Sequence, residues 1–349
     1  MTNKNVKLVS ETDIVFDGMF WIDKNGVKHR YVDPLLDEGF KILFGSEGNE
    51  DLLIDLLNKV LPGAEIRDLK YCNTEHHGMT ESEGNAIFDV YCEDVDGVRF
   101  LVEMQNWSQQ YFNKRAIYYS TFAIQDQAAK EKRHQLKTLG KDKWDYNFAP
   151  VYLVCFLTFN MKRSLPNLTK VKEDDYISIY KYTDVETNEL LGDGTTLIFI
   201  EMKKFCKSLK ECSSEKERWI CSLKSMGEQL EMPQELSGTI LQTMYDKAAL
   251  AAMPLEKRIN YISKTMSRND ELNSRAEMIE EALQEGYAKG RDEGLAEGVI
   301  KGRAEGREEG REEGRADAAK RMVASGMTKE QVAAILELST KEIDIVLAS

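Results

Sequence analysis

Two acidic residues and an amide carry the strongest chemical signal in this chain. Asp89 is followed, after thirteen intervening residues, by Glu103-Met104-Gln105. Between them lie two short runs rich in β-branched and aromatic side chains, residues 86–93 and 98–105, joined by the turn-forming Asp94-Val95-Asp96-Gly97. A three-residue loop with Gly97 in the left-handed region pairs Asp94 with Val98. That register sets Asp89 opposite Glu103, and the two-residue alternation of a strand puts Gln105 on the same face. Two carboxylates facing each other in an apolar hairpin repel unless a cation lies between them. A hard divalent ion, which prefers oxygen ligands, meets that need. The other reading is a solvated sheet face with Arg99 or Lys114 nearby. The apolar neighbours Ile87, Phe88 and Val90 weigh against it without deciding the matter.

A hairpin needs a scaffold to hold such a pair. Upstream, Phe40, Leu43 and Phe44 share one helical face and Gly45 is a stop; a second amphipathic helix, residues 49–61, ends at Pro62-Gly63. Downstream the pattern predicts a long helix over 111–132, a buried strand over 150–157, and a strand pair over 176–181 and 195–201. From 211 to 285 the composition turns helical. The order of elements is that of a mixed α/β domain with a helical extension.

The Asp89 and Glu103-Met104-Gln105 hairpin resembles the PD-(D/E)XK nuclease superfamily, whose core is a helix, a bent β-hairpin, a helix and a strand. More narrowly, the chain resembles the Rpn family of recombination-promoting nucleases, also called PD-(D/E)XK nuclease family transposases. The carrying motifs are DEGFKILFG (37–45), IFDVYCEDVDGVRFLVEMQ (87–105) and RAIYYSTFAIQ (115–125), continuing through TLIFIEM (196–202) and the glycine-rich C-terminus. The resemblance implies an α/β restriction-endonuclease-like core and a metal-dependent DNA endonuclease of low sequence specificity, serving recombination or transposition. It implies that Asp89, Glu103 and the Met104 carbonyl bind Mg²⁺ (or Mn²⁺ or Ca²⁺), with Gln105 aligning the attacking water. Asp37 is then a third carboxylate reaching the ion through water, or else a helix N-cap. Lys41 pairs with Asp37 or touches phosphate. Arg115 and Tyr119, one turn apart on the next helix, would grip the DNA backbone, core packing being the alternative for one of Tyr118 and Tyr119. Two departures stand out: Phe88 replaces the pattern's Pro, and Gln105 its Lys. A glutamine amide can position a water but supplies no positive charge. The rival function is a non-catalytic assembly protein that keeps the nuclease fold.

Composition sets outer limits. With 42% hydrophobic residues in 349, the chain buries a core and is not disordered throughout. The most apolar stretch, residues 149–159, falls short of the ~20 residues of a membrane span, and residues 1–13 hold no apolar signal segment. The six cysteines show neither CxxC nor zinc spacing, which points to the cytoplasm. His76-His77 reads as a solvated loop rather than a metal site. The net charge of -13 divides into -10 over residues 1–100, +3 over 101–265 and -6 over 266–349. That excludes a passive nucleic-acid coat and favours the scaffold rival, yet leaves the basic stretch 130–143 either as a local DNA contact or, as such stretches more often are, a solvated loop.

Five segments follow: 1–30 an N-terminal segment, 31–210 the nuclease-like domain, 211–284 a helical region, 285–320 a glycine-patterned tail, and 321–349 a small helical hairpin. In the tail, glycines recur at every fourth position from Gly286 to Gly314, and Arg303, Arg307, Arg311 and Arg315 follow the last four. Each glycine weakens a helix by about 1 kcal/mol relative to alanine. The expectation is a weak helix ordered by pairing with a second copy, making the protein a homo-oligomer, or else a linker. Two capping boxes, Thr328 with Gln331 and Ser339 with Glu342, open the helices of the last segment. There Val332, Ile335, Leu336, Ile343, Val346 and Leu347 would bury, in an element for docking more than for reading DNA.

Overall fold

The protein divides into two units, Met1–Asn269 and Asp270–Ser349. A computed structural model describes residues 15–76, 86–107, 111–138, 140, 144–161 and 175–348. The first unit opens with a small antiparallel sheet of β1 (Val15–Phe16), β2 (Trp21–Ile22) and β3 (Lys28–His29). Helices α1 (Asp37–Phe44) and α2 (Glu50–Val60) follow, then β4 (Leu69–Tyr71) and the paired β5 (Glu75–His76) and β6 (Ala86–Ile87). His77, the second half of the histidine pair, lies outside the described residues. Next come β7 (Val90–Asp94), β8 (Arg99–Gln105), α3 (Phe112–Lys137), β9 (Val151–Leu157), β10 (Ile177–Lys181) and β11 (Thr195–Glu201). Then α4 (Glu215–Ser225), α5 (Ile240–Ala248) and the first turns of α6 (Leu255–Ala324) complete the unit.

The main sheet has six strands in the order β10-β11-β9-β8-β7-β4. Strands β8, β9 and β11 are parallel; β7, β4 and β10 run against their neighbours. A parallel return from β8 to β9 needs a crossover, and α3 supplies it. Side-chain alternation sorts the core into two layers. Phe100, Val102 and Met104 point to the face covered by α1, α2, α4 and α5, whose Phe40, Leu53, Trp219 and Met244 are fully or almost fully buried. Leu101, with Tyr91, Leu153 and Cys155, points to the face covered by Phe112, Ala116 and Ala123 of α3. Burying both faces is why the central strands read as continuous apolar runs.

The hairpin has the register that the turn dictates. Gly97 has φ +82°, the Asp94 N–H donates to the Val98 carbonyl at 3.0 Å, and Val90 lies opposite Val102. Two element bounds differ from expectation. Residues 86–93 are not one strand, because the chain breaks at Phe88-Asp89, between β6 and β7. Helix α3 runs to Lys137 rather than 132, since buried Gln135 still has partners there: it donates to the Asn147 carbonyl and accepts from the Asp145 N–H, both at 3.3 Å. Of the basic stretch 130–143, residues 139 and 141–143 lie outside the described residues.

In the second unit, α6 carries the whole glycine series. Helices α7 (Lys329–Leu336) and α8 (Thr340–Ala348) pack on its last turns, with Ala319, Val332, Ala333 and Ile343 buried. Both capping boxes form. Ile335 departs from expectation: it is 52% exposed, while Ala333 takes its place against α6. No helix among the described residues is long and apolar enough to cross a membrane.

Candidate active site

The break at Phe88-Asp89 creates the site. Continuing the hairpin ladder would pair Met104 with Phe88. Instead the Phe88 N–H donates to the Thr74 carbonyl at 3.0 Å, and the Met104 N–H donates to Asp89 Oδ2 at 2.8 Å. A carboxylate thus replaces a strand carbonyl. In return the Asp89 N–H donates to Glu103 Oε1 at 3.2 Å. The two acids are cross-braced through each other's backbone, Asp89 9% and Glu103 3% exposed. They do not lie on a solvated face. Arg99, one of the cations that such a face would need, instead pairs with Glu93 at 2.9 Å and Asp126 at 3.2 Å. Lys114 lies over the Tyr111 ring.

Cations approach the pair from both layers. From α1, Lys41 Nζ lies 3.2 Å from Asp89 Oδ1 and 3.1 Å from Asp37. From α3, Arg115 Nη1 donates to Gln105 Oε1 at 3.4 Å, while Gln105 Nε2 donates to Glu103 Oε2 at 3.0 Å. Gln105 therefore bridges the arginine to the glutamate, and its amide orientation is set by both. Asp37 is not an N-cap: Leu36 holds that position with no side-chain cap, and Asp37 bonds to Lys41 and to Asp89. Tyr119 is the packed tyrosine. Its ring meets Phe88 edge-on at 5.5 Å and lies 4.8 Å beneath the Arg115 guanidinium, whereas Tyr118 is 44% exposed. All seven residues singled out from the sequence, Asp37, Lys41, Asp89, Glu103, Gln105, Arg115 and Tyr119, are linked by these contacts.

The electrostatics follow from burial. Desolvation, then Glu103 and Asp37, push the Asp89 carboxyl well above the ordinary carboxylate range, against the pull of Lys41. Desolvation raises Glu103 as well, opposed by the Asp89 N–H, Arg115 and Gln105. Burial pulls Lys41 down, but Asp89 and Asp37 outweigh it and hold the ammonium above its usual value. Crowded acids of this kind favour a multivalent cation, and carboxylate oxygens suit a hard one. Among the described residues no three His, Cys, Asp or Glu side chains form a metal cluster; the carboxylates that meet here are the Asp89–Glu103 pair. That set fits a divalent ion held by few protein ligands, as Mg²⁺ commonly is.

Two contributors had no signal in the sequence. Arg268, on α6, adds positive charge towards Asp33 and Asp37. Asn106 donates from Nδ2 to the Leu35 carbonyl, tying the end of β8 to the start of α1. Neither the curated proteins nor the solved structures hold a match to this chain. A family model does, across residues 34–278, and it covers every residue of the site. The chain belongs to the PD-(D/E)XK nuclease family transposases.

Proposed function

We propose that this protein is a metal-dependent DNA endonuclease that hydrolyses phosphodiester bonds with little sequence specificity and serves DNA recombination or transposition. The observation that carries this reading is the buried, cross-braced Asp89–Glu103 pair flanked by Lys41 and Arg115. PD-(D/E)XK nucleases generally use divalent metals, and here Asp89, Glu103 and the Met104 carbonyl would hold Mg²⁺, Mn²⁺ or Ca²⁺. Bound there, the ion supplies a lowered water pKa and neutralises charge on the scissile phosphate. The chain's own residues do the rest. Lys41 and Arg115 offer opposing positive charges to the two sides of a phosphate. Gln105 keeps a second amide N–H and a second carbonyl lone pair with which to align a water. Tyr119 holds Arg115 in place from below. Asp37 restrains Lys41 and offers a further oxygen.

In this reading the protein works in the cytoplasm, where its six cysteines, all free, stay reduced. It acts as a homo-oligomer joined through the glycine-patterned part of α6. Purified protein incubated with supercoiled plasmid and Mg²⁺, Mn²⁺ or Ca²⁺ should nick and linearise it, and Asp89→Ala should not. No cleavage with any of the three ions, or equal cleavage by Asp89→Ala, overturns the reading and leaves a scaffold that kept the fold.

A further inference from the structure

The exposed face of α3 leads away from the candidate active site. Arg115, Tyr118, Phe122, Gln125, Ala129 and Lys132 follow one another in steps of three and four, so they share one helical face. The stripe spans about 25 Å at a rise of 1.5 Å per residue. It begins at the arginine bonded to Gln105 and ends at Lys132, whose Nζ lies 5.8 Å from the centre of the Trp144 ring. Beside it lies an open cavity of about 700 Å³, lined by Tyr118, Phe122, Gln125, Lys132 and Trp144 among others. That volume is within the range of about 300–1,000 Å³ that ligand sites occupy.

Three features say what this groove fits. Among the described residues its large apolar groups are the rings of Tyr118, Phe122 and Trp144: Tyr118 meets Phe122 edge-on at 5.0 Å, and Tyr146, outside the lining, lies 4.1 Å from Trp144, centre to centre. Among the described residues of the lining there is no branched aliphatic side chain of the kind that suits a peptide's apolar anchors. The far wall is anchored, because buried Gln135 bonds the backbone on both sides of Tyr146, and Tyr146 itself adopts φ +60°. Trp144 Nε1 is a buried donor with no hydrogen-bond partner among the described residues. The charge also suits a polyanion: residues 112–137 carry six Lys and Arg against two Asp and Glu, in a protein of net charge -13.

We propose that this face of α3, closed by Trp144 with Tyr146 packed against it, is a base-stacking groove for an unpaired DNA strand. It would feed the phosphodiester of that strand to the Asp89–Glu103 pair. The inference rests on the nuclease reading and names its substrate class: DNA with single-stranded character, such as a frayed end or a displaced strand. Aromatic rings stack on the π-face of any base, so the groove is sequence-tolerant, while Arg115 and Lys132 follow the phosphates. In a paired duplex the base faces are hidden from these rings.

The test is binding by the full chain, in EDTA, of a fluorescein-labelled oligothymidylate and of an abasic oligonucleotide of equal length, read by fluorescence anisotropy. The wild type should prefer the thymidylate. Trp144→Ala and Tyr118→Ala should each weaken thymidylate binding about tenfold, as loss of one stacked base does, with little effect on the abasic strand. Trp144→Phe keeps a ring and should recover most of the loss, which separates stacking from misfolding. Equal wild-type affinity for the two oligonucleotides, or thymidylate binding by Trp144→Ala equal to wild type, overturns the proposal and leaves the groove to a protein partner. Plasmid cleavage without a thymidylate preference sinks the groove but not the nuclease. A thymidylate preference without cleavage does the reverse.

Discussion

Asp89 and Glu103 are held together against their own repulsion, and that tension makes the site sensitive to protons. A carboxyl whose folded-state pKa is raised binds its proton more tightly folded than unfolded. Its stabilising contribution is complete below the ordinary carboxylate range and is lost as pH rises through the raised value. Asp89 and Glu103 are both raised, chiefly by burial. Metal-free protein should therefore melt at lower temperature as pH climbs from mildly acidic to mildly alkaline, and Asp89→Asn should flatten that slope. Thermal melts in EDTA across pH check it; a slope unchanged in the variant places its origin elsewhere. The same protons compete with a divalent ion, so Mn²⁺ affinity should rise with pH and binding should release protons, both readable by calorimetry in buffers of different ionisation heat. Gln105 links Arg115 to Glu103. Its replacement by alanine should cost roughly 10–100-fold in plasmid cleavage, the usual effect of removing a partner that orients a ligand. Asp89, Glu103 and Gln105 were legible in the sequence because one glycine turn fixes the register of the whole hairpin. Arg268 was not, because nothing in a helix of mixed charge says which arginine lies towards an acid more than two hundred residues away.

The elements were easier to read than the way they break. Periodicity gave α1, α2 and five of the six strands of the main sheet to within a few residues, since each buries a regular face; the three-residue β4 (Leu69–Tyr71) is too short to show a period and was missed. Alternation alone could not reveal the interruption at Phe88-Asp89. That break depends on the Thr74 carbonyl, which captures the Phe88 N–H from another part of the chain. Helix α1 shows what holds the site from the other side. A Cβ on Gly39 would lie 2.0 Å from the Asp33 carbonyl oxygen, so the chain entering the helix runs directly against its first turn. That contact sets where Asp37 and Lys41 stand. Gly39→Ala should destabilise the protein by about 1–3 kcal/mol, the cost of forcing extra volume into a packed contact. Its unfolding midpoint in denaturant should fall accordingly. A variant as stable as wild type would mean that the approach of Asp33 is soft. Gly45 is a weaker constraint: its Cβ would come no nearer than 3.1 Å to any neighbouring atom.

At the scale of the whole chain, the glycine-patterned part of α6 is the feature whose purpose the single protein does not explain. No Cβ placed on any glycine from Gly286 to Gly314 would meet a neighbour within 4 Å, so none of them is required by a contact among the described residues. Eight such glycines should weaken the helix by several kcal/mol in all. On one row of the helix, at intervals of four, stand the exposed Ile279, Leu283 and Tyr287, then Arg291, then the exposed Leu295 and Val299, and the same row continues as Arg303, Arg307, Arg311 and Arg315. The glycines form the adjoining row. A small, flat strip beside an apolar one lets a second helix approach closely, and the arginines can then meet Glu305, Glu309 and Glu313 of that helix. A row with period four drifts by 40° per step on a helix of 3.6 residues per turn, so the partner must wind right-handed to follow it. We therefore expect two copies of the protein to associate along this strip. Exposed ion pairs contribute only about 0–1 kcal/mol each, so the association should be modest and should weaken with salt wherever the arginines matter. Light scattering on the full chain and on a truncation ending at Gln284, each in low and high salt, decides it. The full chain should be a dimer or larger at low salt and shift towards the monomer at high salt, while the truncation stays monomeric throughout. If both have the same size in low salt, the glycine strip does not join copies of this chain.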